Sequence, residues 1–288
     1  MQAPAFFRYR IGDMQVTAIH NGIAERPTEG LIPNAPPGAL QQVLDDNFLP
    51  RDKFPISFTT LVVNTGAKLV LIDTGYGDNG PPSTAIWMAN FRAAGFDPAN
   101  VDAILISHFH ADHISGFRLK DGTAPFPNAE LMVPAAEWDF WMSDDNMAKG
   151  PAGIQPSFQN SRRVFGPSAA NATRFAWDKE VVPGITAIRA DGHTPGHTAF
   201  ALSSGSGKLM VMSDTTNNPL VFARHPDWSA VFDQDAAQAG TTRRRLLDIA
   251  ATEKMQVAFY HAPFPATGHL AREVDGFRFA PLMWRSDV

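Results

Sequence analysis

The 288-residue chain carries 24 basic and 29 acidic residues, a formal charge of -5 and no cysteine. The acidic balance leaves no broad electropositive face for a phosphate backbone, which excludes nucleic acid as an expected partner. The lack of cysteine excludes disulfides and thiolate metal sites, so any metal must be held by imidazole and carboxylate.

Hydrophobic residues at 44% and charged residues at 18% are the proportions of a globular chain with a sizeable core. One domain over residues 1–288 is the expectation, and a homodimer is compatible with it. The start, MQAPAFFRYRIGD, lacks a leader's apolar run, and no stretch approaches the roughly 18 apolar residues of a membrane span. As written the chain reads as cytoplasmic and free of membrane; removal of an upstream leader would make it periplasmic or secreted.

Periodicity predicts strands at Gln15–Ile19, Thr59–Asn64 and Lys68–Ile72, the last two joined by a hairpin turn at Asn64-Thr65-Gly66. A helix is predicted from Ser83 to Ala94, opened after Pro82 and closed by Gly95. The apolar, partly β-branched run Val101–Ser107 suits a strand covered on both faces, and its carboxyl end is His108. Residues 137–171 mix aromatics, Met, Gly and Pro without a clean period, an irregular region that reads as a helical insertion or a lid. Further strands are predicted at Glu130–Val133, Gly184–Arg189, Ala199–Leu202 and Leu209–Ser213. A helix at Thr242–Lys254 then leads into a strand at Gln256–Tyr260, which ends at His261.

Seven of the nine histidines fall in three short segments, HFHADH at 108–113, DGHTPGH at 191–197 and YHAPFPATGH at 260–269. Histidine used merely as a polar core residue would be scattered. In HFHADH an extended chain sets His108 and His110 on one side to grip one ion, and the turn through Ala111 redirects Asp112 and His113 toward a second. Imidazole ligands need compensating negative charge, which Asp214 in SDTTNN is placed to supply. The tight Pro195-Gly196 turn directs His197, leaving His193 behind it, although the two roles exchange if the turn runs otherwise. His261 at a strand end is the better ligand, and His269, in a Pro and Gly loop, is assigned to the pocket.

These segments resemble the metallo-β-lactamase superfamily, whose five motifs match in order: Asp73 in IDTG, HFHADH, His197 in HTPGH, Asp214 in SDTT and His261 in FYH. The resemblance implies an α/β fold, an αββα sandwich of two mixed β-sheets back to back with helices on the outer faces. It further implies one ion on His108, His110 and His197, a second on Asp112, His113 and His261, Asp214 bridging, and Asp73 supporting the site from behind. Flanking segments look most like the methyl parathion hydrolase and quorum-quenching lactonase branch. SDTTNN lacks the tyrosine expected of the acyl-homoserine lactonases near the bridging Asp.

Two divalent ions, zinc first and Mn, Co or Fe also suited to these ligands, would lower the pKa of a shared water toward neutrality. A hydroxide so formed is the expected nucleophile, with Asp112 passing its proton to the leaving group. The expected function is therefore a dinuclear hydrolase of a small neutral substrate: a lactone, aryl ester or organophosphate triester. A thioesterase, a β-lactamase and a non-catalytic metal-binding sensor are the alternatives. Trp141, in AEWDFWMSDDNM, and Phe264, in PFP, are the aromatic residues assigned with His269 to substrate.

Overall fold

The computed structural model describes residues 3–288. Alternating apolar strands build a first seven-stranded sheet in chain order: β1 (Phe6–Ile11), β2 (Met14–Pro27), β3 (Lys53–Asn64), β4 (Leu69–Ile72), β5 (Ala103–Leu105), β6 (Glu130–Pro134) and β7 (Thr173–Phe175). Its first four strands are antiparallel, and β4 to β7 run parallel. The second seven-stranded sheet holds β8 (Lys179–Val182), β9 (Ile185–Arg189), β10 (Thr198–Ser204), β11 (Gly207–Ser213), β12 (Gln256–Phe259), β13 (Thr267–Arg272) and β14 (Phe277–Pro281). Here only the β11–β12 pair is parallel.

The period of two decides which sheet face meets what. Leu61 and Val63 of β3 point into a core shared with Phe200, Leu202, Leu209 and Val211 of the second sheet. Val62, between them, points the other way, into a cluster with α2 (Trp87–Ala93), α4 (Ala135–Trp141) and α6 (Gln155–Phe165). On the far side Met210, Met212, Val257 and Phe259 pack against Leu246, Leu247 and Ala250 of α8 (Ala236–Thr252). The result is an αββα sandwich of two mixed sheets back to back with helices outside.

The region 137–171 is helical, one of the two forms its irregular pattern left open. Besides α4 and α6 it contains α5 (Asp144–Lys149), capped by the Ser143 side chain on the Asn146 N–H. Trp138, Trp141, Phe158, Val164 and Phe165 are all buried on the first sheet. The three helices are short, so no single window shows their period. Likewise α8 begins six residues earlier than its apolar pattern, because Asp235 caps it at the Gln238 N–H and its first turns are alanine-rich. Among the described residues no helix is long and apolar enough to cross a membrane.

Candidate metal centre

β4, β5, β11 and β12 deliver their carboxyl ends to one edge of the sandwich, where loops are free to carry chemistry. Asp73 follows β4, Ser107 to His113 follow β5, Asp214 follows β11 and His261 follows β12; His193 lies in the loop after β9. His110 enters the one-turn helix α3 (Ala111–Ile114), which turns Asp112 and His113 away from His108 and His110.

Two ligand-like groups result. His108, His110, His193 and Asp214 form the first, and Asp112, His113 and His261 the second. In the first, His110 Nδ1 lies 3.1 Å from His108 Nε2 and 3.0 Å from His193 Nε2. In the second, Asp112 Oδ2 is 3.4 Å from both His113 Nε2 and His261 Nε2. Asp214 reaches across: Oδ2 is 3.4 Å from His193 Nε2 and 3.1 Å from His261 Nε2, and Oδ1 is 3.3 Å from His113 Nε2.

Most of the rings are oriented through their other nitrogen. His108 Nδ1 faces Ser107 Oγ at 3.0 Å, and His113 Nδ1 donates to Asp73 Oδ2 at 2.8 Å. His193 Nδ1 donates to Asp233 Oδ1 at 2.8 Å, and His261 Nδ1 to the Ser57 carbonyl at 2.9 Å. A ring that donates at Nδ1 keeps a lone pair at Nε2, the form a metal requires. Asp73 also accepts from the Ser107 amide and hydroxyl and from Ser213 Oγ. Asp73 (φ 59°) and Ser213 (φ 47°) are both left-handed non-glycine residues, backbone geometry of the kind that collects at functional sites.

Burial and mutual repulsion divide the titration of the imidazoles. Burial, with the neighbouring His193 charge, lowers His110 and His197 to about 3. Burial also acts on His261, but Asp214 and Asp112 outweigh it and raise that ring to about 9; with Asp73 added, His113 is raised well above its ordinary value. Burial alone would raise Asp112 and Asp214, yet the His113 and His261 rings hold both below the usual carboxylate range.

A family model described as the metallo-β-lactamase superfamily matches residues 53–255. The chain belongs to the metallo-β-lactamase superfamily. An N-acyl homoserine lactonase from Bacillus sp. is 26% identical over 171 residues, 59% of each chain, so the match spans less than two thirds of that relative. AidC, a dizinc quorum-quenching lactonase solved with the product N-hexanoyl-L-homoserine, is 26% identical with a TM-score of 0.91, covering 98% of this chain and 99% of that one. The hydrolase AbOPH of the beta lactamase superfamily is also 26% identical, with a TM-score of 0.93 over 99% and 100%.

The metal implied by the superfamily fits these residues. Among the buried polar atoms without any hydrogen-bond partner are His113 Nε2 and Asp214 Oδ1, one from each side of the gap between the two groups. Buried polar atoms are otherwise almost always satisfied, and a cation is the partner that both accept.

Four sequence expectations change. His197 belongs to neither group: its Nδ1 meets the Ala190 carbonyl at 3.1 Å and its Nε2 accepts from the Asp214 amide at 3.1 Å. Both its nitrogens are spent on backbone, so His193 stands where His197 was expected. His269 sits on β13, exposed and 3.2 Å from the Met255 carbonyl, rather than in a loop at the pocket. Phe264 packs on His20 and the inter-sheet core. Trp141 is fully buried, donates to Glu137 and lies behind His110, its ring centre 6.4 Å from the imidazole.

The cavity over the two groups holds about 700 Å³. Its walls include Ile56 and Phe58 of β3, Tyr76, Pro151, Gly153 and Ile154, and Val231 with Phe232, with Ser157, Asn217 and Gln234 as polar members; Arg26 is its one cationic side chain apart from the histidines. None of these wall residues stood out in the sequence, because they come in ones, twos and threes from separate stretches of the chain. Asp233 and Glu137, which hold the histidine loops, carried only the weak signal of an acid amid apolar neighbours.

Proposed function

We propose that the chain is a metal-dependent hydrolase of neutral lactones, with N-acyl homoserine lactones the first class to test and aryl esters and organophosphate triesters the wider range. One observation carries this reading: Asp214 spans two imidazole groups on the floor of a cavity into which Ile56, Phe58, Ile154, Val231 and Phe232 bring apolar surface. The lactonase relative and the dizinc lactonase neighbour support the same choice.

In this reading His108, His110, His193 and Asp214 would hold one divalent ion and Asp112, His113, His261 and Asp214 the other. Such ions, zinc first with Mn, Co or Fe also compatible, supply Lewis acidity and a water activated near neutral pH. Asp112, at 16% side-chain exposure the most open of the ligand carboxylates, faces the cavity. It takes the proton from the attacking water and returns it to the ring oxygen as the acyl carbon–oxygen bond breaks, leaving a hydroxy acid. Burial and the nearby Asp112 push the Tyr76 hydroxyl above its ordinary pKa, so it stays protonated and able to donate to the substrate carbonyl. Phe58, Ile154 and Phe232 line the space for an acyl chain.

Hydrolysis is measured by proton release on metal-loaded protein across N-acyl homoserine lactones, aryl acetates, dialkyl aryl phosphates, thioesters, β-lactams and a phosphodiester. Lactones should have the highest kcat/KM, chelation should abolish the activity, and the phosphodiester should be slow because, apart from the metal-facing histidines, Arg26 is the one cationic side chain in the cavity to balance an anion. Activity that survives chelation, or that is greatest on β-lactams or thioesters, would overturn the assignment.

A further inference from the structure

We infer that the Glu137 carboxylate is a positioning residue, a clamp that joins the His108–His110 loop to the His193 loop and so sets the affinity of the first metal group. The inference rests on the two-metal reading above. Glu137, in the first turn of α4, is completely buried, and no ligand atom of either group belongs to it. Its two oxygens divide their partners by loop. Oε1 accepts from the Phe109 amide at 2.8 Å, between His108 and His110, and from Trp141 Nε1 at 2.8 Å. Oε2 accepts from Thr194 Oγ at 3.0 Å, next to His193, and from the Gly196 amide at 2.7 Å, in the turn that follows it.

Four donors with no competing acceptor suit an ionised carboxylate and nothing else of that size. Two of them, the Phe109 and Gly196 amides, are backbone groups with no strand or helix to pair with at these positions, so the acid is their means of being satisfied. The contact is also steric. A β-carbon on Gly196 would come within 2.1 Å of the Glu137 backbone nitrogen, so the HTPGH turn sits directly on the start of α4. His110 and His193 come from loops 83 residues apart, and their ring nitrogens still meet at 3.0 Å. Glu137 is the side chain that hydrogen-bonds both loops at once.

The Glu137→Gln variant tests this, since an amide keeps the volume and one acceptor but turns an NH2 toward donors. Thr194 Oγ can rotate and accept from it, whereas the Gly196 amide cannot. In the metal-free protein the Gly196 amide should then exchange with solvent about tenfold faster, the factor for losing one hydrogen bond. In stepwise cobalt titration, followed by visible absorption, one of two binding steps should weaken by about 10- to 100-fold with an altered spectrum, and the other should hold. Thr194→Val, a milder cut of the same clamp, should shift both readouts in the same direction and so serves if Glu137→Gln fails to fold. Unchanged Gly196 exchange, or equal weakening of both steps with a lower melting temperature, would make Glu137 a packing residue and overturn the proposal. If the unaltered protein takes up no cobalt, the two-metal reading fails with the affinity claim, while Gly196 exchange still decides whether the carboxylate joins the loops.

Discussion

Asp233 grips His193 by one oxygen and Arg243 by the other, at 2.8 Å and 3.1 Å. Arg243 is itself buried and donates to the carbonyls of Thr215, Pro226 and Trp228, so α8 is tied to the ring that faces the metal gap. Asp233→Asn should weaken metal binding by about 10- to 100-fold. It should also destabilise the metal-free fold by about 3–5 kcal/mol, because Arg243 keeps its charge without a counterion. Chelator competition and urea denaturation measure the two; undiminished affinity with lost stability would mean that Asp233 serves Arg243 alone.

His193→Ala and His197→Ala should separate. The first removes a nitrogen from the first group and should leave one ion per chain with little activity. The second should keep both ions and cost stability of about 1–3 kcal/mol, since it strands the Asp214 amide and the Ala190 carbonyl. Elemental analysis and melting curves on both variants decide it. Loss of an ion from His197→Ala with two retained in His193→Ala would reverse the assignment.

The contrast between these two histidines shows how far the sequence carries. The strands ending at Asp73, His108, Asp214 and His261 were legible because apolar runs stop abruptly at chemistry-bearing residues, and the sandwich followed from the family resemblance that those residues carry. The choice within HTPGH was not legible, since it depends on which ring the turn aims outward, and that is settled by Asp233 forty residues later and by Glu137 beneath the turn. β13 and β14 were missed because Pro, Gly and exposed polar residues interrupt their alternation. The cavity walls were missed because aromatic clustering in AEWDFW marked a core, and the walls are assembled from short separate stretches with no shared pattern.

Metal loading at pH 7 should release protons. His261, raised to about 9 by Asp214 and Asp112, and His113, raised well above its ordinary value by Asp214, Asp112 and Asp73, are protonated in the metal-free protein, and both must be neutral to bind. Calorimetry in buffers of different ionisation heat reads this release directly; none would show that the rings are already neutral.

The same groups give the metal-free protein a stability maximum near pH 6.5. His261 and His113 are held protonated by the fold, so their contribution is full below 6.5 and falls at higher pH, for His261 as pH rises through about 9. His110 and His197, at about 3, stay neutral while the unfolded chain protonates, so stability falls from 6.5 toward 3. The acid limb should slope by up to about 1.4 kcal/mol per pH unit for each group. Urea denaturation of chelated protein from pH 4 to 9 tests it, and the alkaline fall should vanish once metal is bound.

Ile154→Ala and Trp141→Phe should act on different properties. Ile154 lines the cavity, so shortening it should lower kcat/KM for long-chain lactones by about tenfold relative to short ones with metal content intact. Trp141 is buried against Glu137, so its change should lower the melting temperature and metal affinity without altering chain-length preference. A chain-length effect from Trp141→Phe alone would return it to the cavity wall.

Ile56, Phe58, Ile154, Val231 and Phe232 all come from stretches that contribute no atom to the metal groups. What enters the site and what reacts there are thus written in separate parts of the chain. Drift at Ile56 and Phe58, around residues 151–157, and at Val231 and Phe232 can redraw the accepted compounds while every metal-facing side chain, and the Ser57 and Asp233 groups that orient two of them, stay in place. Two members that share all their histidines are therefore free to consume different molecules, and comparison of those three segments tells more about diet than comparison of the histidine loops.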